Sequence, residues 1–302
     1  MPEDRQIVAK ATGLIVLSAC GFGSLSTLTV LITRAGLPLL PAMFWRYLLA
    51  GFFLIAFVRG GLGRGIDKRA ALRLMLVGGI GQAVITYLSL RALDYLPVGP
   101  LAFLFYTYPA WVALISAVLG REDLTLMRFI ALSIAMTGIV VMVGAPSSAS
   151  LNPIGIALAL GTALLYAIYL PALQRVQRNI PTNVAAFYLI AGVFISFLIA
   201  SIFTKKLYLP TTTEMWGYLV LLSLVCTVLA FGTLIAGLRV LGPVRTSIIA
   251  TIEPFFTALL GIVLLGESMT RGTLTGGALI AGAVLLLQIT GRPRPAEALA
   301  DG

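Results

Sequence analysis

Pro109-Ala-Trp-Val-Ala-Leu-Ile-Ser-Ala-Val-Leu-Gly-Arg-Glu-Asp-Leu-Thr125 returns in outline as Pro254-Phe-Phe-Thr-Ala-Leu-Leu-Gly-Ile-Val-Leu-Leu-Gly-Glu-Ser-Met-Thr270. At a constant offset of 145 residues, Pro109, Ala113, Leu114, Val118, Leu119, Glu122 and Thr125 recur as Pro254, Ala258, Leu259, Val263, Leu264, Glu267 and Thr270. A second block agrees, with Tyr47-Leu-Leu-Ala-Gly-Phe-Phe53 resembling Tyr188-Leu-Ile-Ala-Gly-Val-Phe194. Leu90-Arg-Ala-Leu93 likewise resembles Leu238-Arg-Val-Leu241. The chain is therefore read as two copies of one unit.

Working outward from these blocks, each unit is a series of apolar windows. The 302 residues are 59% apolar and 11% charged, where soluble chains carry about 25% charge. Runs such as Ile130 to Val143 and Ala278 to Ile289 are contiguous, which excludes the alternation of an outer-membrane barrel. About 20 apolar residues cross the ~30 Å hydrocarbon layer as a helix. Breaks at charge, Gly and Pro clusters give spans near 10–32, 38–58, 70–92, 98–119 and 124–144. A second set follows near 153–176, 182–203, 213–238, 243–265 and 271–290. The expected organisation is a first five-helix repeat over 1–144, a connecting turn over 145–152, a second repeat over 153–290 and a disordered tail over 291–302. Five spans per half is an odd number, so the second half enters the membrane upside down. The fold class expected is an all-α polytopic membrane protein, ten transmembrane helices as two inverted five-helix repeats, with a site at the midplane between halves.

The formal charge of +10 raises a nucleic-acid partner, but Lys and Arg sit singly or in small groups between apolar runs and act as topology signals. Fifteen fall on the side of the N-terminus: Arg5, Lys10, Arg59, Arg64, Lys68, Arg69, Arg73, Arg121, Arg128, Arg175, Arg178, Arg239, Arg245, Arg292 and Arg294. Five, Arg34, Arg91, Lys205, Lys206 and Arg271, fall opposite. Cytoplasmic loops carry the excess, so both termini are expected in the cytoplasm. Met1 to Lys10 is polar and the run from Ala11 to Ile32 is too long for a signal-peptide core; it reads as the first span. There is no histidine, and Cys20 and Cys226 read as small buried hydrophobes. No metal or cofactor is expected. An intramembrane enzyme is disfavoured, because the spans offer no His-containing dyad, clustered carboxylates or Cys pair.

The segment from Tyr87 to Val143, with Ala92-Leu93, Tyr108-Pro109, Leu119-Gly-Arg-Glu122, Leu124-Thr125 and Gly138, resembles the drug/metabolite transporter superfamily in its ten-helix EamA-type form. The pattern repeats from Leu238 to Leu287 with Glu253-Pro254, Leu265-Gly-Glu267, Thr270 and Gly282, and Arg46-Tyr-Leu-Leu-Ala50 matches the family's arginine and small-residue pattern. One departure is Gly120-Arg121-Glu122, which lacks the Gly immediately before Glu found at Gly266-Glu267. The resemblance implies an exporter of amino acids, related metabolites or toxic cations in a bacterial inner membrane, the nearest kind being the YddG-like amino-acid exporters.

Candidate site residues follow from position. Pro109 and Pro254 lie about eleven residues, roughly 16 Å, into their spans, where each frees a carbonyl four residues back, Phe105 and Ala250. They are read as paired hinges beside a cavity, the alternative being packed kinks. Glu253 is the acidic residue placed near mid-membrane, expected to bind a substrate ammonium or a coupling proton; a purely structural carboxyl is the competing reading. Its repeat counterpart is Tyr108. Tyr106 is set aside, being about 200° from Tyr108 on a continuous helix. Polar stripes at helical spacing add Ser24 with Thr27, Gln82 with Thr86 and Ser89, Thr162 with Tyr166 and Tyr169, and Ser223 with Thr227. From these, Ser24, Gln82, Thr86, Tyr108, Tyr166, Tyr169, Thr227 and Glu253 are taken as substrate-binding, with interhelical hydrogen bonding as the plainer role of each hydroxyl. Arg46 is expected to snorkel to the headgroups. Without a cation at the midplane, a phosphate ester is disfavoured as solute. Neutral or aromatic amino acids rank first, organic cations second, and a channel is the reading from another class. The partners expected are a small-molecule substrate and the lipid bilayer, with the chain as a monomer.

Overall fold

Long uncharged windows leave the backbone no water to bond, so the chain satisfies its own N–H and C=O groups in helices. In the computed structural model, residues 2–57, 66–118, 126–144, 151–177, 180–205 and 207–290 are described, and helix is the regular structure throughout them, with no strand. The first half holds α1 (Pro2–Arg34), α2 (Leu39–Phe57), α3 (Lys68–Arg73), α4 (Gly81–Arg91), α5 (Val98–Phe105), α6 (Tyr108–Val118) and α7 (Leu126–Gly144). The second holds α8 (Pro153–Gln177), α9 (Thr182–Phe203), α10 (Thr213–Ser223), α11 (Ala230–Ala250), α12 (Glu253–Leu265) and α13 (Arg271–Thr290).

Among the described residues, five stretches are long and apolar enough to cross a membrane: Gln6–Arg34, Lys68–Asp94, Pro153–Leu173, Val184–Phe203 and Thr213–Leu234. Shorter apolar helices occupy Leu39–Ile55, Phe129–Met142, Glu253–Leu265 and Arg271–Leu286. Large apolar side chains such as Phe52, Val118 and Phe203 point outward, the last 84% exposed. On a soluble protein such a surface would be a liability; on a membrane protein it faces lipid. Most of the connecting turn (145–150), the tail from 291, and Glu122 with Thr125 of the repeated motif lie outside the described residues.

Four departures from the expected spans have local causes. Helix α1 starts at Pro2 rather than near residue 10, since proline fits a first turn and no helix breaker separates the polar start from the apolar run. The expected break between residues 238 and 243 is absent: α11 stays helical across Gly242-Pro243, because proline removes one hydrogen bond without forbidding a helical φ. The third and eighth spans widen into π-helical turns at Leu74–Ile80 and Leu224–Leu229. The helices carrying Pro109 and Pro254 do not bend around proline but stop and restart, at Tyr106-Thr107 and Thr251-Ile252. Each proline then stands in a first helical turn, where its missing N–H costs nothing.

Glycines let the helices approach. Gly79 in the third span lies against Gly192 of α9, where an added Cβ would stand 2.5 Å from backbone. Helix α13 runs along α7, and a Cβ on Gly138 would stand 2.8 Å from the Gly276 carbonyl oxygen. Helix α1 packs on α11 and α12, while α6 packs on α8. Helix α5 begins at Val98, whose N–H donates to Glu267 Oε1 at 2.9 Å. Thus a glutamate of the repeated motif in one half caps a half-helix of the other.

Candidate functional site

The interrupted helices leave a cavity of about 440 Å³, lined from both halves. Its chemistry starts at the second interruption. Glu253 is the first residue of α12, so its carboxyl sits at the positive end of the helix dipole. The turn is clamped to α1: Thr257 Oγ1 donates to the Gly23 carbonyl at 2.8 Å, and a Cβ on Gly23 would lie 3.1 Å from the Glu253 carbonyl oxygen.

Tyr106 crosses from the first interruption to the second. Its hydroxyl lies 2.7 Å from the Ala250 carbonyl and 3.3 Å from Glu253 Oε2. The Ala250 carbonyl is one of the two that proline was expected to free, and a cross-half hydroxyl takes it up. A phenol has one hydrogen to give. The Ala250 carbonyl, at the shorter distance, takes the larger share of it, and the Glu253 carboxylate accepts at longer range.

Three tyrosines form an aromatic wall. Tyr108 and Tyr166 meet edge to face at 4.9 Å between ring centroids, and Tyr106 lies 5.9 Å from Tyr108. The expectation that Tyr106 and Tyr108 diverge fails because the 100° step per residue applies only within an unbroken helix, and the chain breaks between them. Both line the cavity.

Of the expected residues, Gln82, Thr86, Tyr108, Tyr166, Thr227 and Glu253 line this space together with Pro254. Gln82 Nε2 donates to Thr86 Oγ1 at 3.2 Å. Ser24 lies instead on α1, donating to the Gly21 carbonyl at 2.8 Å and standing 3.3 Å from Cys226 Sγ. Tyr169 is buried and donates to the Gly78 carbonyl at 2.9 Å, a group within the π-helical turn. Pro109 is outside the lining and stands in the first turn of α6.

Arg46 is where the sequence reading is corrected. It does not reach the headgroups: it is 3% exposed and lines the cavity. Its Nε donates to Thr227 Oγ1 at 3.1 Å, while Thr227 Oγ1 donates onward to the Leu222 carbonyl at 3.0 Å across the second π-helical turn. Ser223 Oγ stands 2.9 Å from the Arg46 carbonyl and 2.7 Å from that of Leu219, which share its one hydrogen. The cavity therefore does contain a cation, and the argument against anionic groups from its absence falls. One signal was present in the sequence: Arg46 shares a helical face with Ala42, Met43 and Ala50, all buried.

The chain is similar to known proteins along most of its length. An uncharacterized transporter of Archaeoglobus fulgidus is 25% identical over 277 residues, 90% of this chain and 94% of its own. A protein of known crystal structure superposes with a TM-score of 0.64 at 21% identity, covering 93% of this chain and 97% of that one, which shows a shared fold. The profile of the EamA-like transporter family matches twice, over residues 10–144 and 153–289. With apolar helices throughout and both halves matched, the protein is a multi-pass membrane protein that belongs to the EamA-like transporter family, one of transporters rather than enzymes.

Proposed function

We propose that the protein is a secondary transporter that moves small neutral or aromatic amino acids by alternating access of two inverted five-helix halves, ten spans in all, as YddG-like exporters are expected to do. The observation that carries this reading is the cavity shared by both halves, where Glu253 opens a restarted helix beside Tyr106, Tyr108 and Tyr166. The substrate ammonium meets Glu253, and the rings receive an apolar or aromatic side chain. The two matched segments, 10–144 and 153–289, support the two-half organisation. Paired interruptions at Tyr106-Thr107 and Thr251-Ile252 supply the joints about which the halves rock. The membrane is a bacterial inner membrane, with both termini in the cytoplasm.

Counterflow into proteoliposomes tests this. Radiolabelled leucine and phenylalanine should exchange, and hexose phosphates should not; phosphate-ester exchange without an amino-acid signal would overturn the solute class. Organic cations are the second reading, favoured by the same aromatic wall. They would be recognised by exchange of an alkylamine that no amino acid inhibits. A channel would instead show flux that does not depend on solute on the far side.

A further inference from the structure

Arg46 is an always-charged group enclosed in the protein at 3% exposure. Among the described residues no carboxylate stands within ion-pairing distance of it; the pair seen there is Arg91 with Asp94, elsewhere on the chain. Its contacts account for little of the charge. Nε meets the neutral hydroxyl of Thr227, Nη1 has the Met43 sulfur at 3.9 Å, and Cζ lies 4.9 Å from the ring centroid of Tyr47. A thioether is a weak acceptor, and a guanidinium has five N–H donors. Among the described residues the outer fork of Nη1 and Nη2 meets no anionic acceptor, on a side chain that lines the cavity. Burying such a charge without a counter-ion is strongly unfavourable, and the guanidinium is held in place through Nε, which donates to Thr227.

We propose that Arg46 is the carboxylate anchor of the transport site, gripping a solute carboxylate with its outer N–H fork while Glu253 in the same cavity takes the ammonium. Planar guanidinium and planar carboxylate match in two parallel hydrogen bonds. One fixed cation and one carboxyl in the same cavity complement a zwitterion, whereas a dianionic phosphate ester meets Glu253 as a repelling neighbour. The proposal rests on the amino-acid reading above and deepens it: recognition requires the carboxylate, so decarboxylated amines are poor solutes although the aromatic wall would accept their cation.

The test uses three probes of one carbon skeleton: leucine with both charges, isoamylamine with the ammonium alone, and isocaproate with the carboxylate alone. Binding is read on purified full-length protein as a shift in unfolding temperature, and transport as leucine counterflow. In the unaltered protein, isocaproate should stabilise and compete with leucine. Arg46→Gln should abolish the isocaproate shift and raise the half-saturating leucine concentration by about thirtyfold or more, while keeping the isoamylamine shift. Arg46→Lys should fall between the two. Glu253→Gln should give the reverse pattern, losing the amine and keeping the carboxylate. The proposal is overturned if isocaproate neither stabilises nor competes in the unaltered protein, a result that needs no variant to fold. It is also overturned if chloride stabilises as well as isocaproate, or if folded Arg46→Gln exchanges leucine with unchanged half-saturation. That last outcome would leave the amino-acid reading standing. Arg46-dependent binding of isocaproate with no exchange of any amino acid would sink that reading and keep the anchor.

Discussion

Single side chains decide the cavity's chemistry, and they were unevenly legible. Glu253, Tyr108, Tyr166 and the Gln82–Thr86 stripe could be read from spacing, because polar atoms in an apolar helix announce a shared face. Tyr106 was set aside by a rule that holds only while a helix continues. Arg46 was misassigned because a long cationic side chain near a helix end can reach either water or a cavity, and sequence does not show which way it turns. Two outcomes follow at this scale. Tyr106→Phe leaves the Ala250 carbonyl, now bonded at 2.7 Å, without that donor. It should cost about 1–3 kcal/mol, read as a lower unfolding temperature, and an unchanged temperature would show that water replaces the phenol. Glu253→Gln keeps shape and removes the charge. Transport should fall about tenfold or more, as expected for losing a charge-assisted contact of about 1.5–3 kcal/mol, with folded yield intact. Normal transport would return Glu253 to a structural role.

Helices meet through seams of small residues. Gly277, Ala278, Ala281 and Gly282 recur on α13 at the four-residue spacing that suits close packing, and α13 lies along α7. The closest approach, however, is Gly276 to Gly138, and Gly277 faces the Phe103 ring, with a Cβ there 2.8 Å from it. A Cβ on Gly282 would meet nothing from the neighbouring helices within 4 Å among the described residues. Substitution should separate these cases. Gly192→Ala drives a methyl to 2.5 Å from the Met75 carbonyl oxygen and should destabilise by about 1–3 kcal/mol or prevent folding. Gly282→Ala should be neutral; monodispersity and melting of the two purified variants make the comparison. The π-helical turns could not be foreseen, since nothing in Leu74–Ile80 or Leu224–Leu229 breaks a helical pattern. Side chains take up carbonyls at both turns: Tyr169 of α8 bonds the Gly78 carbonyl within the first, and Thr227, inside the second, bonds the Leu222 carbonyl just before it. The repeated glutamate gains a plain meaning: Glu267→Ala uncaps Val98 and should cost about 1 kcal/mol, seen as earlier unfolding with transport retained.

Across the whole molecule, the halves were the most legible feature, because a constant offset of 145 residues needs no structural knowledge to detect. Orientation rests on fifteen basic residues against five. Reporter fusions at residue 148 and at the C-terminus should therefore signal opposite compartments; identical signals would reject the inverted arrangement. The cavity's full lining was less visible, since it joins side chains from distant spans across breaks that periodicity cannot place. Those breaks also bear on how the protein is made. The 8 residues of α5 and 11 of α6 reach only about 12 and 17 Å, so neither alone crosses the ~30 Å layer. Their joint is bridged through Tyr106 to an acceptor 144 residues further along the chain. A ribosome that has delivered the first half to the insertion machinery has not yet synthesised that acceptor. The first half must therefore wait unfinished in the bilayer, and a gene cut between the halves would serve a cell only when both fragments are made together in the same membrane.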